Sequence, residues 1–291
     1  MDTYCMECNF RRNLALARSM GTEEQATAFI RELMAAMVAV PAGDPSPVLG
    51  PRLTELLTEH YGLPRDRYAQ DRLTANRFVA ERLEDIRRRV AGAEDPLYAG
   101  LQYAILGNYL DFSALQGQVS FQDLEAMLDK AYDFKPDPEV FESFRRDLAR
   151  AGTLLYLTDN AGEIGFDRIF AEEIARAYPN LSITFCVRGD IAVNDATRED
   201  AEAVGVPFPI IDNGNDVAGT VPRLMSPESR QALENADLIL SKGLGNCETL
   251  YGEGYPIYYA FLVKCAKFQH LFQKPLMTPM LVKEPNCGNW K

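Results

Sequence analysis

The chain has 291 residues, enough for about two domains at roughly 150 residues each. It carries 30 Lys and Arg against 42 Asp and Glu, a formal charge of −12, and 47% of its residues are hydrophobic. This excludes a disordered chain and, with Gly and Pro scattered without a period, a collagen or long coiled coil; so acidic a chain is also expected not to bind nucleic acid.

The first half reads as helices. Thr22-Glu23-Glu24-Gln25 has the capping-box pattern and precedes Phe29/Ile30, Leu33/Met34 and Met37/Val38 at helical spacing. Pro41 to Pro51 is a Pro-rich break. Leu73, Asn76, Val79/Ala80, Leu83, Ile86 and Val90 predict one long helix. Pro96 opens another with Leu101, Ile105 and Asn108 on one face, Ser120 caps a further one, and Asp137-Pro138 starts a last helix that Gly152 ends. At Thr153 the period changes. Leu154 to Thr158, Leu181 to Val187, Pro209 to Ile211, Leu238 to Leu240, Ile257 to Val263 and Leu276 to Val282 read as strands, with helices over Ile164 to Tyr178 and Ser226 to Asn235. Strands apolar on both faces that alternate with helices predict a mainly parallel sheet covered on both sides. The expected architecture is α/β: an all-helical domain over 1–151 and a Rossmann-like α/β/α domain over 152–291. No apolar run approaches the ~20 residues of a bilayer span, and Met1 to Cys5 has no basic region followed by an apolar one, so a cytoplasmic protein without a membrane partner is expected.

Six cysteines do not make a disulfide scaffold in a chain of this length. Cys186 falls in an apolar run and reads as a buried strand residue. Cys5 and Cys8 form a lone C-x-x-C, which admits inert thiols, a disulfide or part of a zinc site; zinc wants about four ligands, and sequence alone does not bring Cys247, Cys265 or Cys287 to them. With only His60 and His270, a metal centre would need oxygen ligands, which favours hard ions.

In a parallel sheet, ligands bind beyond the carboxyl ends of the strands. There the chain places Asp159-Asn160-Ala161-Gly162-Glu163, Arg188-Gly189-Asp190 with Asn194-Asp195, Asp212-Asn213-Gly214, Ser241 to Asn246, and Lys264. Asp and Asn at such positions often only cap the next helix. Asp159, Asn160 and Asp195 nevertheless supply two carboxylates and an amide oxygen, a set suited to one hard cation. Gly162 and Glu163 open a helix whose N-terminus favours an anion; alternatively, Glu163 merely complements the helix dipole. Ser241-Lys242-Gly243-Leu244-Gly245-Asn246 reads as a glycine-bearing loop with a lysine, useful for phosphate or simply a turn. Asn108 and Asp111 are either a core hydrogen-bonded pair or the helical half's contribution to a cleft. Lys264, at the end of a buried strand, either snorkels or meets a partner such as phosphate.

At these residues the chain resembles the damage-control phosphatase family, formerly a domain of unknown function and also called acidic-residue-methyltransferase-like. The resemblance covers most of the chain: Cys5-Met6-Glu7-Cys8, Asn108-Tyr109-Leu110-Asp111, Asp159 to Glu163, Asn194-Asp195-Ala196-Thr197, Ser241 to Asn246 and Lys264-Cys265. The C-x-x-C is similar to that of the prokaryotic branch, and Cys247 departs from the bulkier apolar residue expected there. The resemblance implies a helical domain on an α/β/α core with one divalent metal ion (Mn, Co, Ni or Mg). It implies Asp159, Asn160 and Asp195 as metal ligands, Lys242 and Asn246 holding the phosphate, and Glu163 in the same site. Asp159, Glu163 and Lys242 are the expected catalytic groups; Asn108, Asp111, Gly162, Lys242, Asn246 and Lys264 are the expected substrate contacts. The implied activity is hydrolysis of small phosphorylated metabolites such as sugar phosphates or damaged cofactor intermediates.

Three other readings compete. A haloacid-dehalogenase-type phosphatase with Asp159 as nucleophile wants a second Asp two residues on, where this chain has Ala161. A carboxyl methyltransferase using S-adenosylmethionine would want a glycine fingerprint after the first strand, which is missing. A non-catalytic metal- or metabolite-binding protein would show the same acidic edge without turnover.

Overall fold

The computed structural model describes residues 1–112 and 120–284. The helical half comprises α1 (Thr3–Met20), α2 (Glu23–Ala39), α3 (Gly50–Tyr61), α4 (Ala69–Ala80), α5 (Leu83–Ala91), α6 (Pro96–Gly107), α7 (Phe121–Leu128) and α8 (Pro138–Leu148). The second half runs β1 (Thr153–Leu157), α9 (Glu163–Ala177), β2 (Ser182–Val187), α10 (Arg198–Ala203), β3 (Ile210–Asp212) and α11 (Pro227–Asn235). It ends with β4 (Leu238–Lys242), α12 (Gly243–Leu250), β5 (Ile257–Leu262), α13 (Ala266–Phe272) and β6 (Pro279–Lys283).

The strands form one sheet in the order β3-β2-β1-β4-β5-β6, parallel except for β6, which runs antiparallel to β5. The mixed α/β fold with a mainly parallel sheet is thus as the alternation of apolar runs and helices predicts. Alternate side chains face opposite layers, as a strand's two-residue period requires. Leu154, Tyr156, Phe185, Leu240 and Tyr258 join α9 and helices of the first half in one core. Leu155, Leu157, Ile239, Tyr259 and Phe261 join residues of α11, α12 and α13 in a second. A third core, built on Ala17, Phe29, Leu33, Leu56 and Leu57, belongs to α1, α2, α3 and the segments that join them. So α4 to α8 share their core with the sheet, and the three N-terminal helices form their own pack. No described helix is long and apolar enough to cross a membrane.

Several elements differ from the sequence expectation. The predicted helix from Leu73 to Val90 is two, α4 and α5, separated at Glu81 and Arg82, and Leu73 is exposed. Gly165 lets α4 approach α9 closely: a Cβ there would lie 2.6 Å from Val79. The turn after Ala80 then carries Leu83, Ile86 and Val90 onto the same core. Met34 and Val38 are exposed, because Phe29, Ile30, Leu33 and Met37 already fill the buried stripe of α2. The last helix of the first half stops at Leu148, before Gly152. α1 and α3 lie where no helix was expected; Asp2 caps α1 by accepting from the Cys5 N–H. The segment Ser241 to Asn246 is no loop. β4 passes into α12 through Gly243 alone, whose φ of +77° makes the turn in one residue.

Candidate active site at the switch point of the sheet

In a sheet of this order the crevice opens where the chain leaves β1 for one side and β4 for the other. The carboxyl ends of β1 and β4 are neighbours, with Leu157 paired to Ser241. Gly243 brings its backbone against the Asp159 carboxylate so closely that a Cβ would lie 2.0 Å from Oδ2. The segment after β1 is zipped to the one after β2: Ala161 N–H donates to Asn194 O (2.9 Å), Ala196 N–H to Asp159 O (2.7 Å), and Asn160 and Asp195 form an antiparallel bridge. The turn presenting Asn194 and Asp195 places Val193 at φ +56°, where β-branched residues are rare. Such strain persists only where surrounding contacts hold it.

The expected ligand residues therefore come together. Asp159, Asn160 and Asp195 are 6%, 1% and 5% exposed, so none is an ordinary solvated cap. Asn160 Nδ2 donates to Asp159 Oδ2 and Glu163 Oε2, both at 2.7 Å, and its Oδ1 accepts from Asn194 Nδ2 at 2.7 Å. Asn108, directly after α6, donates through Nδ2 to Asp159 (2.9 Å) and Glu163 (2.9 Å) and accepts the Leu262 N–H. Asn108 and Asp111 therefore do not bond each other as a core pair: the Asn108 amide is satisfied by Asp159, Glu163 and the Leu262 N–H. Asp111 lies beside it in the chain and takes Lys264 Nζ at 2.9 Å; that lysine is 1% exposed and does not snorkel. Gly162 has φ +78° and gives its N–H to Asn76 Oδ1, which fixes the start of α9.

Lys242 and Asn246 point inward. Lys242 Nζ donates to Ala104 O (2.8 Å), Glu163 Oε1 (2.9 Å) and Asp167 Oδ1 (2.6 Å), so its three protons are all used. Burial acts to strip its charge, but the Asp167 and Glu163 carboxylates outweigh that and raise its pKa. Asn246 accepts from Arg188 and Thr220 through Oδ1 and donates to Thr158 O and Lys242 O through Nδ2.

Three further residues were missed as site residues. Arg188 at the end of β2 is 3% exposed and holds Asp195 Oδ2 at 2.6 Å. Asp167 is wholly buried between Lys242 and Tyr156, and its Oδ2 has no hydrogen-bond partner among the described residues. Asn76, on α4, ties Gly162 to Asp200. The available signal was a charge inside an apolar pattern: Arg188 closing a strand, and Asp167 among Ile164, Phe166, Ile169 and Phe170.

The charges do not balance. Asp159, Asp111, Glu163, Asp167 and Asp195 face Lys242, Lys264 and Arg188, so the acidic groups outnumber the basic ones by two. Among the described residues Asp159 has no ion pair. Its pKa is held well above the ordinary carboxylate range by burial, then by Glu163, Asp195 and Asp111. Burial also pushes Asp195 up to about 6, against the opposing pull of Arg188. Asp167 is raised to about 7 by burial, with Lys242 opposing. An excess of two acidic groups that a cation would hold ionised, with oxygen atoms of Asp159, Asn160 and Asp195 on two joined loops, is the kind of donor set a hard divalent cation takes.

The description "Damage-control phosphatase ARMT1-like domain" matches residues 1–277. A damage-control phosphatase of Archaeoglobus fulgidus is 32% identical over 204 residues, 69% of this chain and 69% of that protein. A second protein of that name, from Pyrococcus horikoshii, is 35% identical over 176 residues, 59% of this chain and 58% of its own length. A crystal structure of a DUF89 family protein from the same organism has the same fold, with a TM-score of 0.79 at 24% identity over 97% of this chain and 98% of that one. On these grounds, and with the motifs gathered at one sheet edge, the chain belongs to the damage-control phosphatase family with the ARMT1-like domain.

Proposed function

We propose that the protein is a metal-dependent phosphatase that hydrolyses small phosphorylated metabolites, with its site at the carboxyl ends of β1 and β4. The names of the relatives support phosphate-ester hydrolysis. The observation that carries metal dependence is the cluster of acids around Asp159 that outnumber their basic partners by two and are held out of their ordinary ionised state by burial. Asp159, Asn160 and Asp195 would hold the cation. When bound, it would act as a Lewis acid on a phosphoryl oxygen and as a template for the substrate.

The chain's own residues do the rest. Arg188 fixes the rotamer of Asp195 through Nε. Glu163 and Asn108 orient the Asn160 and Asp159 side chains through the amide protons of Asn160 and Asn108. Lys242 holds Glu163 from behind, so its part in catalysis is exerted through that carboxylate. Asn246 clamps β1, β2 and α12 together through Thr158 O, Arg188 and its own helix. Lys264 is the cation best placed to exchange Asp111 for a phosphoryl oxygen, since Asp111 retains some exposure. The N-terminus of α9 at Gly162 and Glu163 adds a partial positive charge. The residues are nearly sealed from solvent, which keeps water away from the reacting phosphoryl group once substrate is bound. A cytoplasmic setting fits the free thiols of Cys5, Cys8, Cys186, Cys247 and Cys265.

The test is hydrolysis of an aryl phosphate and a panel of sugar phosphates with added Mn²⁺ or Co²⁺. Turnover should need the metal and fall at least about 100-fold in Asp159→Asn and Asp195→Asn, the scale of losing an electrostatic group at a reacting centre. Equal turnover by those variants would end the assignment.

A further inference from the structure

Asp167 has no role in the reading above, yet its place on α9 is a costly one. It stands four residues after Glu163, so the two carboxylates share one face of the helix and repel each other. Ile164, Phe166, Ile169 and Phe170 around it are core residues, and an apolar side chain at this position would pack among them without burying a charge. Oδ1 accepts from Lys242 Nζ (2.6 Å) and from the Tyr156 hydroxyl (2.8 Å), while Oδ2 has no hydrogen-bond partner among the described residues. An unsatisfied buried oxygen costs stability, so packing alone does not account for the carboxylate.

What Asp167 holds leads to the site. Its own position is fixed by Tyr156, which is wholly buried on β1 with its ring stacked on Phe185, centroids 4.6 Å apart. Lys242 Nζ is pinned by three acceptors: Asp167, Glu163 Oε1 (2.9 Å) and Ala104 O on α6 (2.8 Å). Among the described residues Lys242 is the one cation paired with Glu163. Glu163 Oε2 in turn accepts from Asn160 Nδ2 at 2.7 Å. The two Nδ2 protons of Asn160 thus go to Glu163 and Asp159, and a half-turn of the amide would set its oxygen against both carboxylates. Only the observed orientation keeps Oδ1, the atom offered to a cation, clear of them.

We propose that Asp167 is a positioning residue of the site, acting through Lys242 and Glu163 to fix the Asn160 amide with its oxygen available to the metal ion. This rests on the metal-dependent reading above and extends it to a side chain that touches neither metal ligand nor substrate. The relay runs from Tyr156 to Asp167, Lys242, Glu163 and Asn160, so β1 and β4 brace the ligand loop from inside the core.

The first arm of the test uses metal-free protein and NMR of the Asn160 side-chain amide, assigned by its loss in Asn160→Ala. In Asp167→Asn these resonances should move, while those of the remote, buried Asn213 stay in place. The second arm measures Mn²⁺ affinity from the free-ion EPR signal. Removing partners that orient metal ligands costs about 10–100-fold in affinity or activity, and Asp167→Asn should bind Mn²⁺ about 10-fold more weakly than the parent. Tyr156→Phe should weaken it less and in the same direction; it carries the same test if Asp167→Asn fails to fold. In a Glu163→Gln background, where the relay is already broken, Asp167→Asn should add no further loss. A purely structural role would lower the unfolding midpoint and leave the affinity of the folded protein unchanged. Parent-like amide resonances and Mn²⁺ affinity in Asp167→Asn, or its full loss repeated in the Glu163→Gln background, would overturn the proposal. A parent that binds no Mn²⁺ would instead remove the metal-dependent reading, and the amide resonances alone would then decide the relay.

Discussion

Asp159→Asn separates a cation-binding carboxylate from one that merely packs. Asp159 Oδ2 accepts from Asn108 and Asn160, and an amide oxygen in its place keeps both bonds. The substitution removes a carboxylate that burial and three neighbouring acids already disfavour as an anion. Without metal the variant should therefore be as stable as the parent, or more stable by about 1–2 kcal/mol, because an unpaired buried charge is costly. With metal the order reverses. A cation at 100 times its Kd adds about 2.7 kcal/mol to the native state. At about 2 °C per kcal/mol, the low end for large chains, that is a rise of roughly 5 °C in Tm for the parent. The variant should gain almost none of it. The assay is thermal unfolding in chelator and in Mn²⁺. Equal Mn²⁺-induced shifts in parent and variant would refute the reasoning, as would a variant markedly less stable than the parent in chelator.

Lys242→Met leaves Glu163 and Asp167 buried without their cation and should cost about 3–5 kcal/mol, read by denaturant unfolding. Gly243→Ala puts a Cβ 2.0 Å from Asp159 Oδ2 at a left-handed φ; about 1–2 kcal/mol of backbone cost is expected, with kcat on an aryl phosphate falling far more than that loss explains. Acid stability has a separate origin. Burial acts to raise the Asp147 pKa, but Lys283 (2.6 Å) and Tyr258 (2.7 Å) prevail and lower it below 3.8. Its contribution is therefore fully present above that value and lost as pH falls through the lowered one. Asp147→Asn should be less stable than the parent at neutral pH, and the gap should close below about pH 3.8 in urea midpoints measured against pH.

Much of the α/β half was legible because its strands are buried on both faces, so runs such as Leu154 to Leu157 stand out without any partner being known. The register that brings Asp159 to Asp195 follows from the strand order, and the motifs at the strand ends marked which residues to follow. What escaped were effects of tertiary contact. The close approach at Gly165 and the break after Ala80 leave no mark on a periodicity that continues in phase from Val79 to Val90. Glycines in Ser241 to Asn246 suggest a loop, yet only Gly243 is used for a turn, and Gly245 lets α12 pack against Ala218. The direction of Lys242 was equally hidden: whether a lysine after an apolar strand faces a ligand or two acids on the next helix depends on Asp167, which reads as one more charge on α9. The contact of Cys5 with Glu248 spans most of the chain and could come only from the fold.

The central claim is that two acids and an amide from the ends of β1 and β2 grip a single hard cation. Crystals grown with Mn²⁺ and measured for anomalous scattering test it most directly. The account predicts one strong peak within bonding distance of oxygen atoms of Asp159, Asn160 and Asp195. A well-ordered crystal with no peak there, or with manganese bound only elsewhere, would contradict it.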